Sequence, residues 1–359
     1  MSKRKSERIN ENNLFNLIEN NELNLFRKKL TNCNDMSITN EDNDTLLTYA
    51  VKNNNVDIVR EILKTDINVN EVVNYEEDIY TTALILACEE GNLDIVKELI
   101  KCDNIDLNIK VQNCNYDSFG TTALISACLN GYFDIVKELL NCNKINVNVQ
   151  VNFHPKFHDG GTTALHVACE ENNLKIVEEL LKHYNIDVNL NNIYDDDIKM
   201  GTTALVWACK EGKYYIVEEL LKCNNIDVNV PDVCNRTALH YACENGYLGI
   251  VEELLQHENI DINFADNIGL NGLMLACDHN NLHIVRKLLK YKNINVNLCD
   301  EQGNTALMFA CENGNSSIVK ELVKHDNINL YIKNDTDETA FDIIMNNNRK
   351  MLMALFKIS

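Results

Sequence analysis

The sequence predicts an all-α repeat solenoid: helix–turn–helix repeats stacked side by side and joined by hairpin or loop fingers. Three observations predict it. First, one phrase recurs along the 359 residues, as TTALILACEEGNLDIVKELI at 81–100, TTALISACLNGYFDIVKELL at 121–140 and TTALHVACEENNLKIVEELL at 162–181. With the alanine that usually precedes cysteine as a marker, copies fall at Ala50, Ala87, Ala127, Ala168, Ala208, Ala242, Ala276 and Ala310, spaced by 37, 40, 41, 40, 34, 34 and 34 residues. Degenerate copies with Leu17 and Ile344 at the marker bring the series to ten. Second, five positions before each marker stands a good helix N-cap: Asn12, Thr45, Thr82, Thr122, Thr163, Thr203, Thr237, Asn271, Thr305 and Thr339. Its side-chain oxygen accepts an otherwise orphaned backbone N–H. Third, four positions after the marker stands Gly or Asn, the residues that best tolerate positive φ at a helix end. They are Asn21, Asn54, Gly91, Gly131, Asn172, Gly212, Gly246, Asn280, Gly314 and Asn348. A repeat of this size cannot bury its apolar face alone, so neighbours must share a core.

Each element follows in order. In the first helix, Leu84, Ala87 and Cys88 keep the i, i+3, i+4 spacing of an apolar face, while Glu89 and Glu90 point elsewhere. In the second helix Val96, Leu99 and Ile100 do the same, with Lys97 and Glu98 on the other faces. Then come NIDLNI, KINVNV or NIDVNV, whose apolar–polar alternation predicts a short extended segment. A finger leads into the next N-cap.

The stretch RTALHYACENGYLGIVEELLQHENIDINFADNIGLN (Arg236–Asn271) and its siblings resemble the ankyrin-repeat pattern: T-P-L-H, then A, then G, then I-V-x-x-L-L, then D-V-N. The resemblance runs over nearly the whole chain. It implies stacked helix pairs whose first helices and hairpin fingers form a groove for other proteins. Two departures stand out. The proline of the pattern is alanine, as at Ala83, Ala164 and Ala238; Pro is favourable at that first turn but dispensable. The histidine survives at His166 and His240, with Ile85, Ile125, Val206, Met274 and Met308 elsewhere, so those repeats are expected to lack an imidazole hydrogen bond.

Composition narrows the function. A formal net charge of −21 opposes binding to duplex nucleic acid, which rests on Lys and Arg neutralising phosphates. It equally opposes anionic membrane surfaces. No apolar run approaches a bilayer span. Residues 1–11 read as a basic flexible tail lacking the apolar stretch of a secretory signal. The expected compartment is cytoplasmic, with a nuclear location open through Lys3, Arg4 and Lys5. Residues 12–359 read as a single domain of about ten repeats, capped by 12–32 and 335–358, and monomeric. The chain has no P-loop, G-x-G-x-x-G or H-E-x-x-H, and no serine in a nucleophile-elbow context. It is therefore read as no enzyme, with no cofactor. Of 14 cysteines, Cys88, Cys128, Cys169, Cys209, Cys243, Cys277 and Cys311 share one column on the buried helix face and read as small core hydrophobes. His154 and His158 in HPKFHD are the remaining metal candidates, with too few companions for a site, so no metal is expected.

Shared residues are used by packing, so function should lie where copies differ. The wide spacings carry inserts between the VN element and the next Thr: EVVNYEEDIY, IKVQNCNYDSFG, VQVNFHPKFHDGG and LNNIYDDDIKMG, all within 71–202. Six extra residues lengthen a finger by roughly 10 Å. Being contiguous, the four long fingers read as a binding wall, including Phe153, Phe157 and Tyr194, rather than as tolerated loop drift. The positions after the marker add Glu89, Glu90, Leu129, Asn130, Glu170, Glu171, Lys210, Glu211, Glu244 and Asn245. With Glu76, Glu77 and Asp78 in one finger and Asp195, Asp196 and Asp197 in another, the row is mostly acidic and should attract a basic partner. Tyr49, Trp207, Tyr241 and Phe309 immediately precede the marker, and are either packing rings or interface anchors. The reading is a non-enzymatic protein-interaction scaffold. The alternative is an adaptor or host-directed effector that recruits a target to machinery such as a ubiquitin ligase.

Overall fold

The computed structural model describes residues 14–33, 36–76, 79–111, 120–151, 161–192 and 201–347. The predicted tail 1–11 and the last residues of the predicted C-terminal cap lie outside them. The chain divides into two compact units, residues 1–187 with 192–195, and residues 188–191 with 196–359.

The first unit contains α1 (14–19), α2 (Leu23–Leu30), α3 (Leu46–Lys52), α4 (Val56–Ile62), β1 (Val73–Glu76), β2 (Ile79–Thr81), α5 (Ala83–Glu89), α6 (Leu93–Leu99), α7 (Ala123–Leu129), α8 (Phe133–Leu140), α9 (Ala164–Glu170) and α10 (Leu174–Leu181). First helices stack as α3–α5–α7–α9 and second helices as α2–α4–α6–α8–α10. The second unit contains α11 (Ala204–Lys210), α12 (Tyr214–Leu221), α13 (Ala238–Glu244), α14 (Leu248–Leu254), α15 (Gly272–Asp278), α16 (Leu282–Leu288), α17 (Ala306–Glu312), α18 (Ser316–Val323) and α19 (Ala340–Asn347). Here α11–α13–α15–α17–α19 form one row and α12–α14–α16–α18 the other.

The helices begin where the N-caps place them. The hydroxyls of Thr82, Thr122 and Thr203 accept the N–H of Ile85, Ile125 and Val206, and Asn271 Oδ1 accepts that of Met274. They turn where Gly or Asn stands. Asn21, Asn54, Gly91, Gly131, Asn172, Gly212, Gly246, Asn280 and Gly314 all have φ between 52° and 78°. Asn348 lies outside the described residues. At Gly91 the sterics are doubly restrictive, because an added Cβ would sit 2.7 Å from the Tyr132 ring of the next repeat.

The core is built from the predicted columns. Leu84, Ala87 and Cys88 are buried, as are Ile95, Val96 and Leu99. Ile100, expected in that stripe, is half-buried, because the helix has ended and it serves as the C-cap. All seven column cysteines are buried free thiols. Desolvation pushes their thiols up, Cys311 to about 12.

The NIDLNI-type segments are turns, not the short extended strands their alternation predicts. The alternation has another cause. Its apolar residues, such as Leu107, Val147, Val228, Ile262 and Val296, are buried. Its last asparagine reaches into the next repeat and satisfies two backbone groups there. In the first unit Asn70 Nδ2 donates to Asn104 O (2.8 Å) and Oδ1 accepts from Asp106 N (2.8 Å). Asn108 does the same to Lys144 O (2.9 Å) and Asn146 N (2.7 Å), and Asn148 to Asn185 O (2.7 Å) and Asp187 N (2.9 Å). In the second unit Asn189, Asn229, Asn263 and Asn297 repeat the pattern, with every bond between 2.6 and 2.8 Å. A side-chain amide thus replaces the sheet ladder and leaves few loop groups unpaired.

The fingers leave each repeat on the side of the N-cap. One is a two-stranded antiparallel ribbon, β1 with β2, irregular between Asn74 and Glu76. Four others close on single bridges: Val111 with Thr121 and Val151 with Thr162 beneath long fingers, and Ala265 with Asn271 and Cys299 with Thr305 in short ones. Three short fingers are pinned by an aspartate. Asp232 Oδ1 accepts from Cys234 N and Arg236 N, and Asp266 and Asp300 do likewise for their own fingers. Backbone bonds tie successive fingers, from Asn267 N to Cys234 O, Glu301 N to Ile268 O and Asp335 N to Gln302 O. Among the described residues no helix is long and apolar enough to cross a membrane.

Candidate partner-binding surface

The face of the first helices in each unit carries most of the sequence-predicted contact residues. In the first unit, Glu89 and Glu90 at the end of α5 are exposed, as is Asn130 after α7. Leu129, Glu170 and Glu171 are half-buried. Ser126, on α7, links this row to the finger base: its Oγ lies 3.0 Å from Thr121 Oγ1 and donates to Glu89 Oε1 at 3.5 Å. Desolvation pushes the Glu89 carboxyl up to about 7, opposed by the Ser126 hydrogen bond. The side chain keeps exposed surface, so water restrains that rise. Leu86, Ser126 and Val167, in the column before the marker, are no more than 2% exposed. Only Tyr49 is half-buried in this column of the first unit, with its ring edge-on to Phe15 at 5.4 Å.

Finger residues fare differently. Glu76 lies in β1, but its side chain is not described. Glu77, Asp78, Phe153, Phe157, Tyr194, Asp195, Asp196 and Asp197 lie outside the described residues, as do His154 and His158.

In the second unit the column before the marker opens. Trp207, Tyr241 and Phe309 are half-buried on α11, α13 and α17, while Leu275 on α15 is 2% exposed. The rings are therefore neither wholly packing nor wholly free. Tyr241 sits at the centre of a polar network. Its hydroxyl donates to Asp232 Oδ2 at 2.6 Å. Arg236 and Lys210 lie over its ring, at 5.9 and 5.7 Å from the centroid. Arg236 pairs with Glu244 (3.1 Å) and Asp266 (3.0 Å). Burial and the Asp232 hydrogen bond push the Tyr241 phenol well above its ordinary value. Glu211 is exposed, and Asn245 donates to Lys210 O at 3.2 Å. The sequence reading singled out Tyr241, Lys210 and Glu244 but missed Asp232, Arg236 and Asp266. For the two aspartates the signal was present, since Asp232, Asp266 and Asp300 recur every 34 residues at the finger base.

The histidine departures also resolve locally. His240 Nδ1 accepts from Thr237 N (3.1 Å), and Nε2–H donates to Leu270 O (3.0 Å) in the next finger; burial lowers its pKa and keeps it neutral. Where Met308 replaces it, the thioether Sδ stands 3.5 Å from Thr305 N and takes over the first of these contacts. The imidazole bond is thus partly replaced there, rather than simply lost.

A depression on the second-helix row of the first unit, across α2, α4 and α6, is lined by Arg27, Asp57, Arg60, Glu61, Lys64 and Glu98, among others. Its cations are spent on its own acids: Arg27 and Lys64 on Glu61, and Arg60 on Asp57 and Glu98. No group of His, Cys, Asp or Glu among the described residues is arranged to hold a metal ion.

The arrangement can therefore present rings and carboxylates to another molecule, on rigid helices. No curated protein matches the chain. A comparison with protein families matches residues 14–111, 106–192, 191–266 and 258–334 to ankyrin repeats, described as three copies per match. Such repeats generally mediate protein–protein interaction. The N-cap column, the positive-φ turn and the stacked helix pairs agree with that match, and the chain belongs to the ankyrin-repeat family.

Proposed function

We propose that the chain is a non-enzymatic scaffold that binds a basic protein partner through its first-helix face and its long fingers. One observation carries this reading: in the first unit the row after the marker presents Glu89 and Glu90, exposed beside the base of a long finger, with Glu170 and Glu171 half-buried in the same row. Carboxylates held on rigid helices raise the local concentration of a cationic partner and speed its encounter. The fingers within 71–202 then supply the contacts that select one basic partner over another. Affinity accumulates over many modest contacts along a repeated surface. The scaffold works in the cytoplasm or nucleus.

The test is a pull-down with the intact chain and with a form whose four long fingers are cut to the short spacing, each at low and high salt. Loss of the same basic partner after trimming and in high salt is the expected result. A partner set unchanged by both treatments refutes the proposal.

A further inference from the structure

The two units leave different surfaces open. In the first, Leu86, Ser126 and Val167 are buried, and Tyr49 alone shows part of a ring. In the second, Trp207, Tyr241 and Phe309 show part of their rings. The rim beside them is acidic. Glu211, Asp278 and Glu312 are exposed at the ends of α11, α15 and α17. Among the described residues Glu211 and Glu312 have no ion-pair partner, and Asp278 accepts from Asn313 Nδ2 at 3.0 Å and lies 3.9 Å from His279. Of the cations on this face, Arg236 is engaged by Glu244 and Asp266 and Lys210 lies over the Tyr241 ring, so the exposed carboxylates outnumber the cations left to offset them.

We propose that the first-helix face of the second unit docks a basic amphipathic helix, with apolar residues about every seven positions and Lys or Arg on its flanks. This rests on the scaffold reading above and names the partner's chemistry for one face. The rings stand on α11, α13 and α17, with Leu275 in the same column on α15, and packed helices lie about 8–10 Å apart. Seven residues of an α-helix advance about 10.5 Å, so a heptad-spaced ligand sets one apolar residue over each repeat, three of which carry a ring. An extended ligand would carry unpaired backbone groups over a face made of helices, which offers no strand edge; a helix satisfies its own. The flanking cations meet the carboxylates of Glu211, Asp278 and Glu312. Little order has to be acquired on binding, because Tyr241 is already held by Asp232 and stacked under Arg236 and Lys210. Leu275 lies flush between Tyr241 and Phe309, so the third apolar position of the ligand faces a step instead of a ring.

Trp207 is the single tryptophan of the chain and stands in this face, so its emission reports occupancy directly. The full-length chain is titrated with a synthetic helix of about 22 residues, bearing Leu every seventh position and Arg on the flanks. Two control peptides are a scrambled form of the same composition and a form with Glu for Arg. The expected result is a saturable blue shift with the first peptide and binding at least about tenfold weaker with either control. Phe309→Ala, and separately the exposed double variant Glu211→Lys/Glu312→Lys, each weaken it by about tenfold. The double variant removes only surface charge, so it reads the site even where Phe309→Ala disturbs folding. Equal binding of the scrambled or the glutamate peptide overturns the proposal, as does no binding at all. Calorimetric heat with silent Trp207 emission, abolished by trimming the long fingers, also overturns it but leaves the scaffold reading standing.

Discussion

Replacing Asn108 by alanine removes two bonds at once, one to Lys144 O at 2.9 Å and one from Asn146 N at 2.7 Å. A net hydrogen bond contributes about 0.5–1.5 kcal/mol, so the pair contributes about 1–3 kcal/mol. Both groups lie in solvent-reachable loop, where water replaces part of the loss, which places the cost near 1–2 kcal/mol. Hydrogen exchange reads this without assuming that a repeat array unfolds in one step. Protection of the Asn146 amide should fall by about 5- to 30-fold, the factor equivalent to that energy. Asn108→Asp keeps an acceptor for Asn146 N–H but loses the donor and sets a negative charge against the Lys144 carbonyl. It should protect Asn146 better than alanine does while still destabilising the joint. Asn53→Ala is the control: its amide bonds Tyr49 O within its own helix, at 2.8 Å. If Asn108→Ala shifts Asn146 exchange less than about twofold, or if Asn53→Ala shifts it equally, the inter-repeat asparagine does not hold the stack and the reasoning fails.

Three further outcomes follow from particular contacts. Gly91→Ala and Gly131→Ala both force a Cβ into positive φ, but only the former drives it to 2.7 Å from a tyrosine ring; the nearest neighbour at Gly131 is Asn173 Nδ2 at 3.3 Å. Gly91→Ala should therefore lower the urea midpoint more, and Tyr132→Leu should recover the difference. The Glu61 carboxyl is held down to about 2, from 4.5, chiefly by the hydrogen bonds from Arg27 and then Lys64. Its folded pKa lies below the unfolded one, so its contribution is complete above pH 4.5 and disappears as pH falls toward 2. The stability deficit of Glu61→Gln should shrink across that window; a deficit independent of pH contradicts the assignment. Finally, a thiol reagent should modify exposed Cys234 and Cys299 in the native protein, while Cys88, Cys128 and Cys169 react only as the chain opens. Equal rates for both groups would contradict the burial of the column.

Much of the fold was legible because each signal repeats. A single threonine before an apolar run is weak evidence for a cap, but Thr82, Thr122, Thr163 and Thr203 at constant distance from the marker are strong. The turn column was legible for the same reason, down to the asparagines at positive φ. The segments around Asn108 misled, since buried Leu107 beside a bonding asparagine imitates the alternation of a strand. Periodicity registers which residues are buried, not whether backbone or side chain makes the hydrogen bonds. The candidate surface was less legible. Trp207 stood out as a unique aromatic, but its partial exposure depends on what neighbours cover, which no column reveals. Arg236 was invisible as a site residue because its role arises from Glu244 and Asp266, eight and 30 positions away.

The asparagine joints have an evolutionary corollary. Each one grips main-chain atoms of the following copy, so it works whatever side chains that copy carries. A lineage can therefore duplicate or delete a whole copy without redesigning the seam. Two kinds of change then proceed independently: the number of copies sets reach, and substitutions on their open faces set what is reached. The run of expanded fingers within 71–202 sits on the same asparagine joints as the short-spaced copies that follow it.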